Sequence, residues 1–101
     1  MLHEKREQLS EYTQDMKRAV DSLREELEAM DWYLQRADAT EDANLKKILL
    51  HNRKEESEHA AMLLEWIRQH DEDFDQHLHE YLFSDAEDIA ASEENKDDED
   101  K

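Results

Sequence analysis

The chain has 101 residues, 30 of them Asp or Glu and 13 Lys or Arg, for a formal net charge of −17, and it contains no Gly, Pro or Cys. The length suits one small domain. The charge argues against binding nucleic acid or anionic membranes and favours cations, and the lack of Cys excludes a disulfide scaffold and thiolate chemistry while fitting a reducing interior.

The opening stretch MLHEKREQLS is not a signal peptide, and no segment is apolar enough to span a bilayer. With neither Gly nor Pro to turn the chain tightly, and with Glu, Ala, Leu, Asp and Lys dominant, long helices are expected. The first runs from about Glu4 to Ala37. Leu9, Tyr12, Met16, Val20, Leu23, Leu27, Met30 and Leu34 recur there at steps of three and four, a seam of the coiled-coil kind. The segment DATEDA then offers Asp38, Thr40 and Asp42 as cap residues and reads as a break.

A second helix is expected from about Glu41 to His70, with a stripe of Leu45, Ile48, Leu49, Asn52, Glu56, His59, Leu63, Trp66 and Ile67. The short link makes the two helices antiparallel neighbours. After HDEDFD comes a shorter helix near Phe74 to Phe83. Residues 85–101 hold nine acids, two lysines and one large apolar residue, Ile89. The chain therefore reads as an all-α domain over residues 1–84, a two-helix hairpin plus a short helix. Residues 85–101 read as an acidic tail with too little apolar surface to offset its ordering entropy, disordered or frayed helix. Two helices bury little, so self-association is expected, closing a four-helix bundle.

Glu56 and His59 stand where the second stripe calls for leucine. A buried, unpaired carboxylate costs roughly several kcal/mol. No Lys or Arg lies on either seam in this reading: Arg53 and Lys54 turn away, and Arg24 and Arg36 lie off the first seam. A metal cation is the remaining counter-charge. Glu56-x-x-His59 places two ligand types one turn apart, the spacing that di-iron carboxylate bundles use. Glu26, on the flank of the first seam, supplies a further carboxylate, with Tyr33 one heptad beyond it. Glu25 and Glu28 turn toward a face shared with Trp32, an indole that another subunit would cover. His51 lies off the stripe toward one flank, and His3, His70, His77 and His79 read as structural or solvated. A bundle di-iron site takes four Glu and two His. One chain holds half of that set, and a two-fold axis supplies the rest. Two other readings of these residues stay open: an acidic helical interaction module without catalysis, and a different di-metal carboxylate oxidase.

The stretches EELEAMDWY, HNRKEESEHAAMLLEWI and HLHEYLF resemble the encapsulated ferritins, over roughly Arg18 to Phe83. The resemblance implies a ferritin-like cargo of encapsulin nanocompartments, cytoplasmic and inside the shell. Its members are two-helix chains that form a ferroxidase di-iron centre only on dimerisation, with dimers arranged in a ring of five. Carried over by motif, Glu26, Glu56 and His59 of two chains resemble the iron ligands, with Tyr33 close by. Glu25, Glu28 and Trp32 resemble the outer site through which metal is taken up, and His51 and Glu55 match positions that bind further divalent cations. The family's shell-targeting peptide carries Gly and basic residues, whereas this sequence has no Gly and an acidic end.

Overall fold

The computed structural model describes residues 1–93, all of whose regular structure is helical. A 3-10 turn, Arg6–Gln8, precedes α1 (Glu11–Ala39), α2 (Ala43–His70) and α3 (Glu72–Tyr81). Met1–His70 form one compact unit, and a second begins at Asp71. None of these helices is long and apolar enough to cross a membrane.

Side-chain caps set the helix ends. α1 starts seven residues later than the composition suggests. Ser10 is extended, and its hydroxyl accepts the Thr13 N–H at 3.1 Å, satisfying a donor that the first turn leaves open. The Glu4 start overlooked this cap, which was visible as a Ser ahead of the periodic run. At the turn between helices, the Thr40 hydroxyl accepts the Asp42 N–H at 3.2 Å and the Asp42 carboxylate accepts the Leu45 N–H at 2.8 Å. Two side chains thereby make a reversal without Gly or Pro.

Within the second unit, the Asp71 carboxylate accepts the Phe74 N–H at 2.9 Å, which moves the start of α3 ahead of the expected Phe74. The chain leaves the helix at Leu82. Phe83 has φ 58°, the left-handed region that Gly usually occupies, and is fully exposed. Residues 89–93 form a further helical turn, with the Asp88 carboxylate accepting the Ala91 N–H at 3.0 Å. Residues 94–101, the end of the expected acidic tail, lie outside the described residues.

α1 and α2 pack against each other as the expected antiparallel hairpin, but on a different face. The buried residues are Ala19 and Ala37 in α1 and Ala60 and Ile67 in α2, and no large side chain is fully buried. Leu27 and Leu34, assigned to the inner seam by sequence, are 51% and 47% exposed. Three of the four buried positions are alanines, which let the backbones approach; the bulkier residues are displaced to either side. Glu26 stands seven residues after Ala19, and Glu56 lies four before Ala60. Both carboxylates are therefore on the contact line between the helices.

A helix turns about 100° per residue. Arg53 and His59, three residues to either side of Glu56, thus point about 60° away from it in opposite senses. In an antiparallel pair, residues rotated in the same sense from the contact line fall on the same side of the hairpin. One flank then carries His59, Ile48, Met62, Trp32 and Glu25. The other carries Arg53, Leu27, Leu34 and Leu50. Arg53 was expected to turn away from the packed face. It stands instead seven residues before Ala60 and fourteen before Ile67, and its Nε is buried.

At the open end of the hairpin, the Tyr12 hydroxyl donates to the His70 carbonyl, tying the start of α1 to the end of α2. The His70 ring stacks on Trp66, with centroids 4.0 Å apart and planes 16° from parallel, and its Nδ1 lies 2.7 Å from the Trp66 carbonyl.

Candidate metal centre

Glu26 of α1 and Glu56 and His59 of α2 meet midway along the hairpin. Each offers a donor atom within 4.8 Å of the others. His59 Nδ1 lies 3.7 Å from Glu26 Oε2 and 3.5 Å from Glu56 Oε2. These distances are too long for hydrogen bonds and suit donors arranged around a common point. Among the described residues this is the one group of three or more potential metal ligands drawn together.

The three differ in exposure. The side chains of Glu26 and Glu56 are 24% and 25% exposed and that of His59 is 45% exposed. The sequence reading put His59 well inside the apolar stripe. It sits at the rim instead, because the contact line is centred on Ala60 and Ile67, and from there the imidazole opens to one flank.

Electrostatically the cluster is under-compensated. Glu26 Oε2 is buried and has no hydrogen-bond partner among the described residues, and two ionised carboxylates cannot donate to each other. Without a cation the relief available is a proton. The Glu26 carboxyl is held above its usual value of 4.5, first by the hydrogen bond its protonated form makes with Glu56, then by burial and by the charge of Glu56; His59 opposes the shift. A buried acceptor with no donor, two carboxylates competing for one proton, and an imidazole beside them fit a divalent metal. The mixed oxygen and nitrogen donors suit iron, manganese or zinc and disfavour a soft, thiolate-seeking ion.

The other expected site residues are not drawn into this cluster. Arg36 lies over both the Trp32 and Tyr33 rings, 5.8 Å and 5.9 Å from their centroids. Trp32 is 44% exposed, and Glu25 and Glu28 are exposed. His51 Nε2 stands 3.8 Å from Glu55 Oε1, an exposed pair one turn apart. Glu25, Trp32, His51 and Glu55 share the flank onto which His59 opens. Arg53 is the polar residue that the sequence reading misplaced, expecting it to turn away from the packed face. The signal was its heptad spacing to Ala60 and Ile67, masked because alanine marks a core position only weakly.

Known proteins bear directly on this arrangement. The EncFtn-like family model matches residues 1–85. An encapsulated ferritin-like protein of Rhodospirillum rubrum is 54% identical over 84 residues, which are 83% of this chain and 60% of the relative. A ferritin-like protein of Thermotoga maritima is 51% identical over 83 residues, 82% of this chain and 73% of the relative. The chain thus spans about three-fifths of the Rhodospirillum protein and about three-quarters of the Thermotoga protein. A crystal structure of a Nitrosomonas europaea protein superposes with a TM-score of 0.82 at 58% identity, covering 84% of this chain and 93% of that one.

Proposed function

The chain belongs to the EncFtn-like family of encapsulated ferritin-like proteins, and on that footing we propose that it is a ferroxidase whose di-iron site is completed by a second copy. The observation that carries this reading is a half-set of ligands at the edge of an apolar flank. Glu26, Glu56 and His59 supply two carboxylates and one imidazole, and beside them Ile48 and Met62 are 56% and 59% exposed. Covering an aliphatic side chain of that size is worth about 1.5–3 kcal/mol, so the flank favours a partner. A two-fold axis beside His59 brings four Glu and two His together, the inventory of a bundle di-iron centre.

Iron is the substrate. Glu26 and Glu56 hold Fe(II) as anionic oxygen donors that favour the higher charge of Fe(III), and His59 adds a neutral nitrogen donor. Each Fe(II) gives up one electron to dioxygen or peroxide, and the product leaves as Fe(III). Metal binding competes with protonation of the Glu26 carboxyl, which the site holds above its usual value. Tyr33 lies one heptad beyond Glu26 on the same side of α1 and outside the ligand cluster, and its role in this reading is a supporting one. Glu25, Glu28 and Trp32, with His51 and Glu55, form the acidic approach that concentrates cations on this flank. The name of the Rhodospirillum relative supports cargo association with an encapsulin shell in the cytoplasm; the closing of dimers into a ring of five rests on the family resemblance alone.

Aerobic Fe(II) oxidation followed by the Fe(III) absorbance tests the reading. The wild type should oxidise many irons per chain, and Glu56→Ala and His59→Ala should fall to the rate of buffer alone. Wild-type rates equal to buffer would favour the non-catalytic interaction module. A single stoichiometric oxidation with retained metal would favour a different di-metal oxidase.

A further inference from the structure

The chain carries 30 acids against 13 basic residues, yet basic side chains gather around the first half of α1. Arg6, in the 3-10 turn ahead of α1, and Lys17 and Arg18, on α1 itself, open onto one cleft of about 300 Å³ that Leu2, Gln14 and Asp21 complete. Arg24 stands just beyond it, 3.4 Å from Asp21. The carboxylates within reach do not balance these cations. Asp21 Oδ1 is shared by two of them, Lys17 at 2.7 Å and Arg24 at 3.4 Å. Arg18 has Asp15 at 2.7 Å. Arg6 has no carboxylate within ion-pair distance among the described residues, and its guanidinium reaches the neutral Gln14 side chain at 3.5 Å. Four cations thus have two carboxylates between them. The cleft is also held in shape: Gln14 Nε2 donates to the Leu9 carbonyl at 3.0 Å and to the Arg6 carbonyl at 3.4 Å, which fastens the segment carrying Arg6 against α1.

We propose that this cleft is an oxyanion site whose occupant is a phosphate dianion, held between the Arg6 fork and the Lys17 ammonium with Arg18 at its edge. Charge selects the class. Two uncompensated cations match a doubly charged anion, whereas a single carboxylate leaves one of them unanswered. The planar donors of arginine take two phosphate oxygens at once, and lysine adds a point charge. The Lys17 side chain is only 24% exposed, so its charge is less screened than that of a free surface lysine. Size selects a small group: the cleft accommodates a phosphoryl group with some water, and the acidic surface around it repels a polyanion such as nucleic acid. The site is separate from the metal cluster. Asp21 precedes Glu26 by five residues, which turns it about 140° around α1. One part of the hairpin therefore takes a cation and another an anion, and the second extends the ferroxidase reading without depending on it. Occupancy ties residues 1–9 more firmly to α1.

Calorimetric titration of the full chain with inorganic phosphate, after metal is removed on a chelating resin and at constant ionic strength, tests it. Binding should saturate at one phosphate per chain. Sulfate should compete, and chloride should not. Amide hydrogen exchange in residues 1–9 should slow on saturation. Arg6→Gln, ahead of α1 and outside the contact between the helices, should weaken binding about tenfold or more, and so should Lys17→Gln. Asp21→Asn, which removes the carboxylate competing for Lys17, should tighten it. Glu56→Ala should bind phosphate as wild type does, so failure of the metal-centre reading leaves this result standing. Methyl phosphate separates the sources of the group: equal affinity supports a phosphoryl group carried on a larger molecule, and weaker binding supports the free ion. Absence of saturable binding, or an Arg6→Gln chain that binds as tightly as wild type, overturns the proposal. So does a signal that chloride reproduces, which would mark an adventitious ion only.

Discussion

The two flanks of the hairpin present different problems to solvent. The His59 flank carries donor atoms on an exposed apolar rim and two carboxylates contending for one proton. The Arg53 flank carries leucines around a buried guanidinium nitrogen with nothing to bond. The first lacks positive charge and the second lacks negative charge. A cation fits the first. A hairpin whose contact line is mostly alanine has little core of its own, and many of its large side chains are left exposed. The comparison teaches that one helix holds two different polar features, a donor cluster and a buried guanidinium nitrogen, about 120° apart.

The largest effect should come from breaking the first flank at its ligands. Glu56→Ala or His59→Ala is expected to lower divalent-metal affinity by more than about a hundredfold, beyond the range seen when only an outer partner of a ligand is lost. Calorimetric titration with cobalt(II) measures it. Next in size, Met62→Lys places a charge on the rim of the metal flank. It should weaken metal-linked dimerisation by about tenfold or more, as read by light scattering with and without zinc(II).

A pH effect follows from the shared proton. The Glu26 carboxyl binds its proton more tightly in the native state than at its unfolded value of 4.5. The unfolded chain therefore holds fewer protons through that window. Metal-free stability is greatest below the unfolded value and falls as pH rises through the raised native one. Thermal melts in EDTA should show this decline, and Glu26→Gln should flatten it and raise the midpoint at neutral pH. A smaller effect belongs to neither flank. Tyr12→Phe removes the hydrogen bond to the His70 carbonyl at the open end. It should cost about 1 kcal/mol, or a fall of several degrees in Tm for a unit of this size.

Much of this was legible in the sequence, for identifiable reasons. Glu56-x-x-His59 declares itself because polar residues interrupt a regular apolar stripe, and Glu26 follows once the helices are known to be antiparallel. The hairpin follows from two long periodic runs and a short break rich in cap residues. The rotation of the contact face was hidden. Ala19, Ala37 and Ala60 are good helix formers wherever they stand, so they carry little signal of burial, while Leu27 and Leu34 form an apparent seam that the structure leaves exposed. The same error of rotation displaced His59 toward the interior and Arg53 toward solvent. The late start of α1 was available in Ser10, whose capping role was not weighed against the continuous polar run from Glu4.

The central claim is that two copies together build one binuclear site. The most direct test is an anaerobic cobalt(II) titration in which bound metal and molecular mass are followed in the same sedimentation run. The account predicts saturation at one metal per chain in the Glu26–Glu56–His59 cluster, with each pair of metals accompanied by joining of two chains or of two existing assemblies. Saturation at that cluster with no change in mass at any concentration would contradict it.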